Sequence, residues 1–492
     1  DQHCASLQSL RCTAMGSDAS QRPPNDMVNF SLLNSVTAST LAPRVGKLAI
    51  AGRNAILTPH YIPLTSRGAV PHIAHDVMRD QTAISGLYFA LEDFIEKLQK
   101  KACPPVYKTP AAPNESPLRN FVCLPKDPVL VLGPRRVPPL ACPPSNTPNS
   151  IAVLTAVGFG QLETGQYVEA VQKLRPDIVV GLADLVLTHR PGMKRQGKMV
   201  DRTHAFTTYT TEQLYGDAVS EENRLKTAYF APILPLDNAQ QTLYLEDLED
   251  ELRRYISGLA LYESESLSVV PESLGHLPRL LFSEPVTPHD ILREVSLGAD
   301  LLTIPFLGHT TDAGMALDFV FPPPSDVHDT SATEPKPLAF DLWAPTFTTD
   351  TAPLNEACQC YTCRNHHRAY IHHLLSAKEM LAWALLQLHN LHTMDRFFAK
   401  IRESIQRGTF ESDVQRFQHI YAPQLPEKTG QGPRIRGYQA PSRGPNEPRR
   451  NPRAYGRLDT IGKLAESQSS IATPDTGAEG LEEHGFAKKL SS

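Results

Sequence analysis

No surplus of positive charge runs through this chain of 492 residues: 48 Lys and Arg stand against 53 Asp and Glu, a net charge of −5. That excludes a global basic field drawing in nucleic acid, so any RNA contact must be local. No apolar run reaches bilayer length. The most apolar helical stretch, Met380 to Leu391, is too short to span a membrane and carries His389, so no integral membrane segment is expected and the protein should be soluble. The opening Asp1-Gln-His-Cys4 has no positive region leading into a long apolar one, so no secretory signal is expected; with no initiator Met, the natural start is expected upstream. Phosphate loop, dinucleotide fingerprint and internal repeat are all missing. Of the eight cysteines, Cys4, Cys12, Cys103, Cys123 and Cys142 show no disulfide-like framework, which points to a reducing, intracellular compartment.

The length allows one barrel-sized domain with a subdomain and tails. Residues 1–26 are polar and unpatterned, a disordered lead. The barrel is expected over 27–321, entered by strands at Val28 to Leu33 and Lys47 to Ile50 and an extended segment at Ala55 to Leu64; Ala90 to Lys101 has helical spacing. Proline recurs from Cys103 to Thr147, which argues against regular helix and central strand, so 103–147 is expected to be a loop insertion. Strands are then expected at Ile151 to Val157, Asp177 to Asp184, Tyr229 to Leu234, Ile256 to Leu261, Leu277 to Phe282 and Leu301 to Phe306. Helices are expected at Tyr167 to Leu174, Thr203 to Lys226, Leu243 to Arg254 and Pro288 to Leu297. Short apolar runs alternating with amphipathic helices indicate a parallel sheet with crossover helices: an α/β fold, a (β/α)8 TIM-like barrel with an open doubly wound sheet as the alternative. A linker follows at 322–336, then a zinc-binding helical subdomain and the end of the barrel at 337–420. The rest, 421–492, is expected to be a disordered tail rich in Pro, Gly and Arg. Its Arg434, Arg436, Arg443, Arg449, Arg450, Arg453 and Arg457, interleaved with Tyr438 and Tyr455, form either a solvated tail or an arm for RNA phosphates and bases.

One stretch carries recognisable chemistry. Cys358-Gln-Cys360-Tyr-Thr-Cys363 puts three thiols within six residues, and twenty-five residues intervene before His389. Three thiols and an imidazole make a closed four-coordinate zinc site, and soft sulfur selects against magnesium and calcium. In an extended segment Cys358 and Cys360 share a side, and one turn brings Cys363 to them. A helix at Asn365 to Leu374 and a second opened by a capping box at Ser376-Ala-Lys-Glu379 run out roughly 15 Å and back roughly 20 Å, returning His389 to the thiols. Inert core cysteines or a redox pair are the alternative, and His366, His367, His372, His373 and His392 are close enough in sequence to compete as fourth ligand. Four protein ligands leave no open position for water, so such a metal is structural.

The Cys-X-Cys-X-X-Cys run, Asn365-His-His-Arg-Ala-Tyr-Ile-His-His-Leu374, Leu388-His389-Asn390-Leu391 and Ile401-Arg402-Glu403 together resemble the zinc-binding end of the tRNA-guanine transglycosylases, also called queuine tRNA-ribosyltransferases. The resemblance implies a barrel with a late zinc hairpin, one Zn2+ per subunit on Cys358, Cys360, Cys363 and His389, and guanine-to-queuine exchange at the wobble position of tRNAs with GUN anticodons. Catalytic members carry Asp-Ser-Gly-Gly-Phe-Gln and a Gly-X-Asp-X-Phe-Asp whose last Asp is the nucleophile, followed by Pro-Thr-Arg. Here the first motif is absent. The second aligns with Gly298-Ala-Asp300-Leu-Leu-Thr303-Ile-Pro305, which puts Thr303 at the nucleophile position. The base-recognition segment reads Ser257-Gly-Leu-Ala-Leu-Tyr-Glu263 and lacks the Gly-Gly pair. Thr310 to Phe319 and Val200-Asp201-Arg202 match the accessory branch instead. The implied protein is a non-catalytic subunit that pairs with a catalytic one and helps hold tRNA. Its implied location is cytoplasmic, with peripheral association at the mitochondrial outer membrane. The rival reading is an active transferase using Asp184, which corresponds to a base-binding Asp, or Asp300, otherwise expected to cap or pair at a strand start. A zinc barrel hydrolase is disfavoured, because a closed thiolate cluster leaves no open position.

Overall fold

The structure, a computed structural model, describes residues 27–34, 41–96, 103–113, 115–142, 145–220, 224–324 and 334–433. The lead 1–26 and the arginines of the tail lie outside the described residues. Three strands, β1 (Val28–Leu32), β2 (Gly46–Ile50) and β3 (Ile56–Thr58), form an antiparallel entry sheet. There follow β4 (His60–Tyr61), α1 (His75–Gln81), β5 (Gly86–Ala90), α2 (Pro117–Phe121), β6 (Val129–Gly133), β7 (Ser150–Thr155), β8 (Gly158–Glu163), α3 (Thr164–Leu174) and β9 (Ile178–Val180). Next come α4 (Met193–Tyr215), β10 (Ala228–Ile233), α5 (Asn238–Glu249), β11 (Ile256–Leu261), β12 (Arg279–Leu281), α6 (Pro288–Ser296), β13 (Leu301–Leu302) and α7 (Pro305–Asp312).

Strands β4, β5, β6, β9, β10, β11, β12 and β13 make one parallel eight-stranded sheet whose spatial order follows the chain. Just past β4, Leu64 bridges Tyr88 of β5, with the Tyr88 N–H donating to the Pro63 carbonyl at 3.0 Å. The sheet is therefore curled as in a TIM-like barrel. Its strands are predominantly apolar because both faces are covered. Alternate residues separate into two cores: Tyr88, Val131, Val180, Phe230 and Leu280 pack with Val28, Leu48 and Ile56 of the entry sheet, while Leu87, Leu132, Val179, Tyr229 and Leu281 pack under the helices. The entry sheet thus covers one end of the enclosed core and leaves the strands' C-terminal ends open, the end where such folds place their chemistry.

Several expectations need correction. The stretch 103–147 is not all loop: it holds α2 and the sheet strand β6, because Pro128 and Pro134 bracket the run Val129–Gly133 instead of interrupting it. Ala90 closes strand β5, and the expected helix after it is a single 3-10 turn at Leu91–Asp93 over the described residues. Ile151 to Val157 does not join the parallel sheet; β7 turns at Gly158, φ +126, and pairs antiparallel with β8. Helix α4 starts ten residues before Thr203 and ends at Tyr215, and α5 likewise lies upstream of the expected span. Asp177 to Asp184 and Leu277 to Phe282 contract to β9 and β12, and Leu301 to Phe306 to two residues, because Pro305 opens α7.

The chain ends with β14 (Met315–Leu317) paired to β15 (Ala339–Asp341), then α8 (Tyr361–Asn365), α9 (Arg368–Ser376), α10 (Met380–Arg407) and α11 (Phe410–Ile420). Ser376 closes α9 rather than capping its successor. Lys378 turns the chain at φ +60, and α10 begins at Met380 behind Glu379. Helix α10 runs 28 residues, far past the hairpin, and docks on β4: the Tyr61 hydroxyl donates to Asp395 at 2.8 Å, and Arg402 donates to the Pro59 carbonyl at 2.8 Å. Hairpin and sheet thus share one continuous helix.

Candidate metal centre and barrel mouth

Cys360 caps α8, its sulfur accepting the Cys363 N–H at 3.3 Å, and the turn lays Cys358 alongside. From α10, His389 points Nδ1 at all three sulfurs: 3.7 Å to Cys358, 3.7 Å to Cys360 and 3.3 Å to Cys363. Its Nε2 lies 2.9 Å from the Leu317 carbonyl of β14, which fixes the N–H there and turns the lone pair of Nδ1 to the thiols. The neighbouring Asn390 is saturated by Thr311, Met315 and Leu317, so the helix cannot slide. All four donor atoms lie within 4.8 Å of one another. A tetrahedral ion with metal–sulfur and metal–nitrogen bonds of about 2.3 and 2.1 Å separates S and N by about 3.6 Å, so the donor set fits a metal. Burial alone would keep His389 neutral, but the sulfurs of Cys358 and Cys360 lift it to about 9. A cation among the thiols replaces that proton.

The competing histidines are occupied elsewhere. His367 caps α9, His372 faces the Leu342 carbonyl, His366 stacks on Tyr370, His373 is exposed, and His392 lines a groove beside the hairpin.

At the open ends of the strands lies a cavity of about 530 Å³ walled by Tyr88, Arg135, Arg136, Tyr262, Phe282 and Glu294 among others. Asp184, just past β9, is fully buried, and its carboxylate is taken up: Asn146 at 2.6 Å, Arg195 at 2.7 and 2.5 Å through two nitrogens, and Arg202 at 3.1 Å. Burial opposes its charge, yet the hydrogen bonds from Arg195 and Asn146 hold it below the usual carboxylate range. Thr303 sits just beyond β13, wholly buried, with its hydroxyl 3.5 Å from the Leu281 carbonyl. Asp300 lies at the other end of the same strand. Arg44 grips both its oxygens, and the Arg279 N–H donates to it at 2.8 Å. The strand-start pairing expected of Asp300 is what the structure holds.

Arg195, Arg44 and Asn146 escape a reading of the sequence, since partners more than ten residues apart leave no local pattern, and Leu317 enters it only as part of Thr310 to Phe319. Arg202 enters it only as part of Val200-Asp201-Arg202. Glu294 escapes because an acid on an amphipathic helix looks solvated, yet it is almost wholly buried against the cavity.

A parallel eight-stranded α/β sheet, with a Cys3His clasp fastening helix α10 and a covered far end, defines the class. The profile of the queuine tRNA-ribosyltransferase family matches residues 39–423, and the chain belongs to that family. It is 36% identical over 407 residues to the queuine tRNA-ribosyltransferase accessory subunit 2 of Schizosaccharomyces pombe, covering 82% of this chain and 87% of that protein. Accessory subunit 2 of Xenopus tropicalis is 27% identical over 418 residues, 74% of this chain and 94% of its own length. That of Drosophila pseudoobscura pseudoobscura is 32% identical over 273 residues, 52% of this chain and 61% of its own length.

Proposed function

We propose that this chain is the non-catalytic subunit of a heterodimeric queuine tRNA-ribosyltransferase. It pairs with a catalytic chain and helps hold tRNA while that partner exchanges guanine for queuine at the wobble position of GUN-anticodon tRNAs. The observation that carries this is the state of the mouth's carboxylates. Attack on a ribose carbon needs an ionised acid free to approach it. Asp184 is held by two guanidiniums, Thr303 offers only a buried hydroxyl, and Asp300 lies at the strand's N-terminal end, where a barrel keeps structural residues. These placements also weigh against the rival reading, an active transferase using Asp184 or Asp300.

The Cys3His set is read as one structural Zn2+ per subunit. When bound, the ion would lock α8 to α10 and offer no open position for catalysis. Outside the clasp, Tyr361, His366 and Tyr370 form a run of ring contacts at 5.7 and 5.5 Å, and the same subdomain exposes Tyr361, Met380 and Leu381. Exposed aromatic and apolar side chains of this kind support pairing through the hairpin. Unpaired, clustered thiols suit a cytoplasmic location. Peripheral contact with the mitochondrial outer membrane is part of the same proposal; among the described residues no helix is long and apolar enough to cross a membrane.

The test is base exchange with labelled guanine on tRNA, by this chain alone and with the catalytic chain, alongside the native mass of the mixture. Activity only in the mixture, at the mass of a heterodimer, is expected. Turnover by the lone chain overturns the reading.

A further inference from the structure

We infer that the lip formed by residues 187–198, the loop after β9 and the first two turns of α4, is a phosphate-contacting surface on which an RNA strand lies as it passes the barrel mouth. The inference rests on the tRNA-holding role proposed above and names the surface that performs it.

The lip carries Arg190, Lys194, Arg195 and Lys198 and no acidic residue. Two of its features run against the electrostatics of the fold. The positive end of a helix dipole disfavours cations in the first turn, yet α4 opens on Lys194 and Arg195 with no acid there and no side-chain cap at Gly192. Like charges four residues apart on one helix face also repel, as Lys194 and Lys198 do. Arg195 has a structural reason, its grip on Asp184, and Arg202 shares it. Lys194 and Lys198 have none: both are exposed, and among the described residues neither forms an ion pair, not even with Asp201 one turn further on. Local rules broken with no gain to the fold mark a functional surface.

Position and company identify the partner as RNA. Leu187 and Glu263 line the mouth cavity; burial pushes the Glu263 carboxyl up, and the Arg190 guanidinium is close enough to pull it partly back down. The lip therefore borders the strands' open end. Met193, three-quarters exposed, gives an apolar contact between the cations, and Leu243 of the adjoining α5 is as exposed. Cations spaced along a helix with an apolar side chain between them suit a single strand, whose phosphates and base faces alternate. On a chain with net charge −5, such a surface confines a polyanion to one place.

The test uses the full chain in complex with the catalytic subunit and measures tRNA affinity across a salt series for the native protein and for Lys194→Gln/Lys198→Gln. Both lysines are exposed, so the variant should keep its fold, metal content and pairing. Affinity should fall on the order of tenfold, and the log–log salt dependence should flatten by about 1.4, the counterions released per phosphate contact on a single strand counted twice. Bound tRNA should also shield both lysines from amine acylation in the native complex. An unchanged affinity and slope overturns the inference while leaving the accessory role standing; failure of the native complex to bind tRNA at all removes both. Loss of sedimentation with anionic phosphatidylserine vesicles, with tRNA affinity intact, reassigns the lip to a membrane surface and overturns it equally.

Discussion

Around Cys358, Cys360, Cys363 and His389 the donor atoms face one another across 3.3 to 3.7 Å, whereas around Asp184 they face a carboxylate of the chain itself. The first arrangement leaves lone pairs for a cation that the protein does not supply. The second leaves nothing over: Asn146, Arg195 and Arg202 occupy the oxygens that would otherwise meet a ligand. The hairpin and the mouth are both buried and polar, so burial and polarity do not distinguish a binding site from a brace. What distinguishes them is whether the polar groups are satisfied from within.

Breaking the clasp should have the largest effect. Cys363→Ala or His389→Ala should abolish stoichiometric zinc, read by atomic absorption. It should also release the small core of Ile371, Leu375, Trp383 and Leu386, because metal-binding energy in such sites is folding energy. Chelation of the native chain should reproduce this and abolish pairing with the catalytic subunit. Retention of a folded, pairing-competent hairpin after chelation would refute the structural-metal reading.

Next in size is Arg44→Met. Arg44 and Asp300 are both fully buried, and removing Arg44 leaves the Asp300 carboxylate with the Arg279 N–H and a more distant guanidinium only, at a cost of up to roughly 3 to 5 kcal/mol. Denaturant midpoints for this variant and for Arg195→Met compare the two braces. The Arg195 change should cost less, because Arg202 and Asn146 still hold Asp184 and Arg195 is part-exposed.

Thr303→Asp asks whether the mouth needs only its acid back. It should give no base exchange by the lone chain, since the position is wholly enclosed, and it should destabilise by about 3 kcal/mol as a carboxylate enters a fully buried position. Measurable turnover would show instead that the mouth lacks only its nucleophile.

The sequence reveals the hairpin more readily than the mouth for a physical reason. Sulfur ligands at X-spacings of one and two residues are a local pattern, and the return of His389 follows from helix rise. The alternation of apolar runs and helices carries the sheet from β9 to β13 for the same reason. The first half defeats that logic: β6 is a strand bracketed by prolines, β5 precedes a run with helical spacing, and the β7–β8 hairpin imitates one more sheet strand. At the mouth the lost motifs show which groups are missing. They cannot show that two arginines hold Asp184, because that depends on α4 starting at Met193, ten residues before the apolar spacing suggests.

Glu294 is the exception that sharpens the comparison. It lines the mouth cavity and is almost fully buried, yet among the described residues its Oε2 has no hydrogen-bond partner, so it is not saturated as Asp184 is. Burial raises its pKa from 4.5 to about 7, with Ser283 and Arg293 pulling weakly the other way. The folded state therefore holds this proton more tightly than the unfolded chain does. Its contribution to stability is complete below about pH 4.5 and is lost as pH rises through 7. By pH 8 the loss approaches roughly 3 kcal/mol, since each tenfold difference in proton affinity between the folded and unfolded chain is worth about 1.4 kcal/mol. Glu294→Gln keeps the shape and removes the titration. Its stability should match the native chain near pH 4.5 and exceed it above pH 7, in denaturant midpoints measured across that range. Parallel curves would mean that Glu294 is ionised and partnered after all, and the mouth would then be saturated throughout.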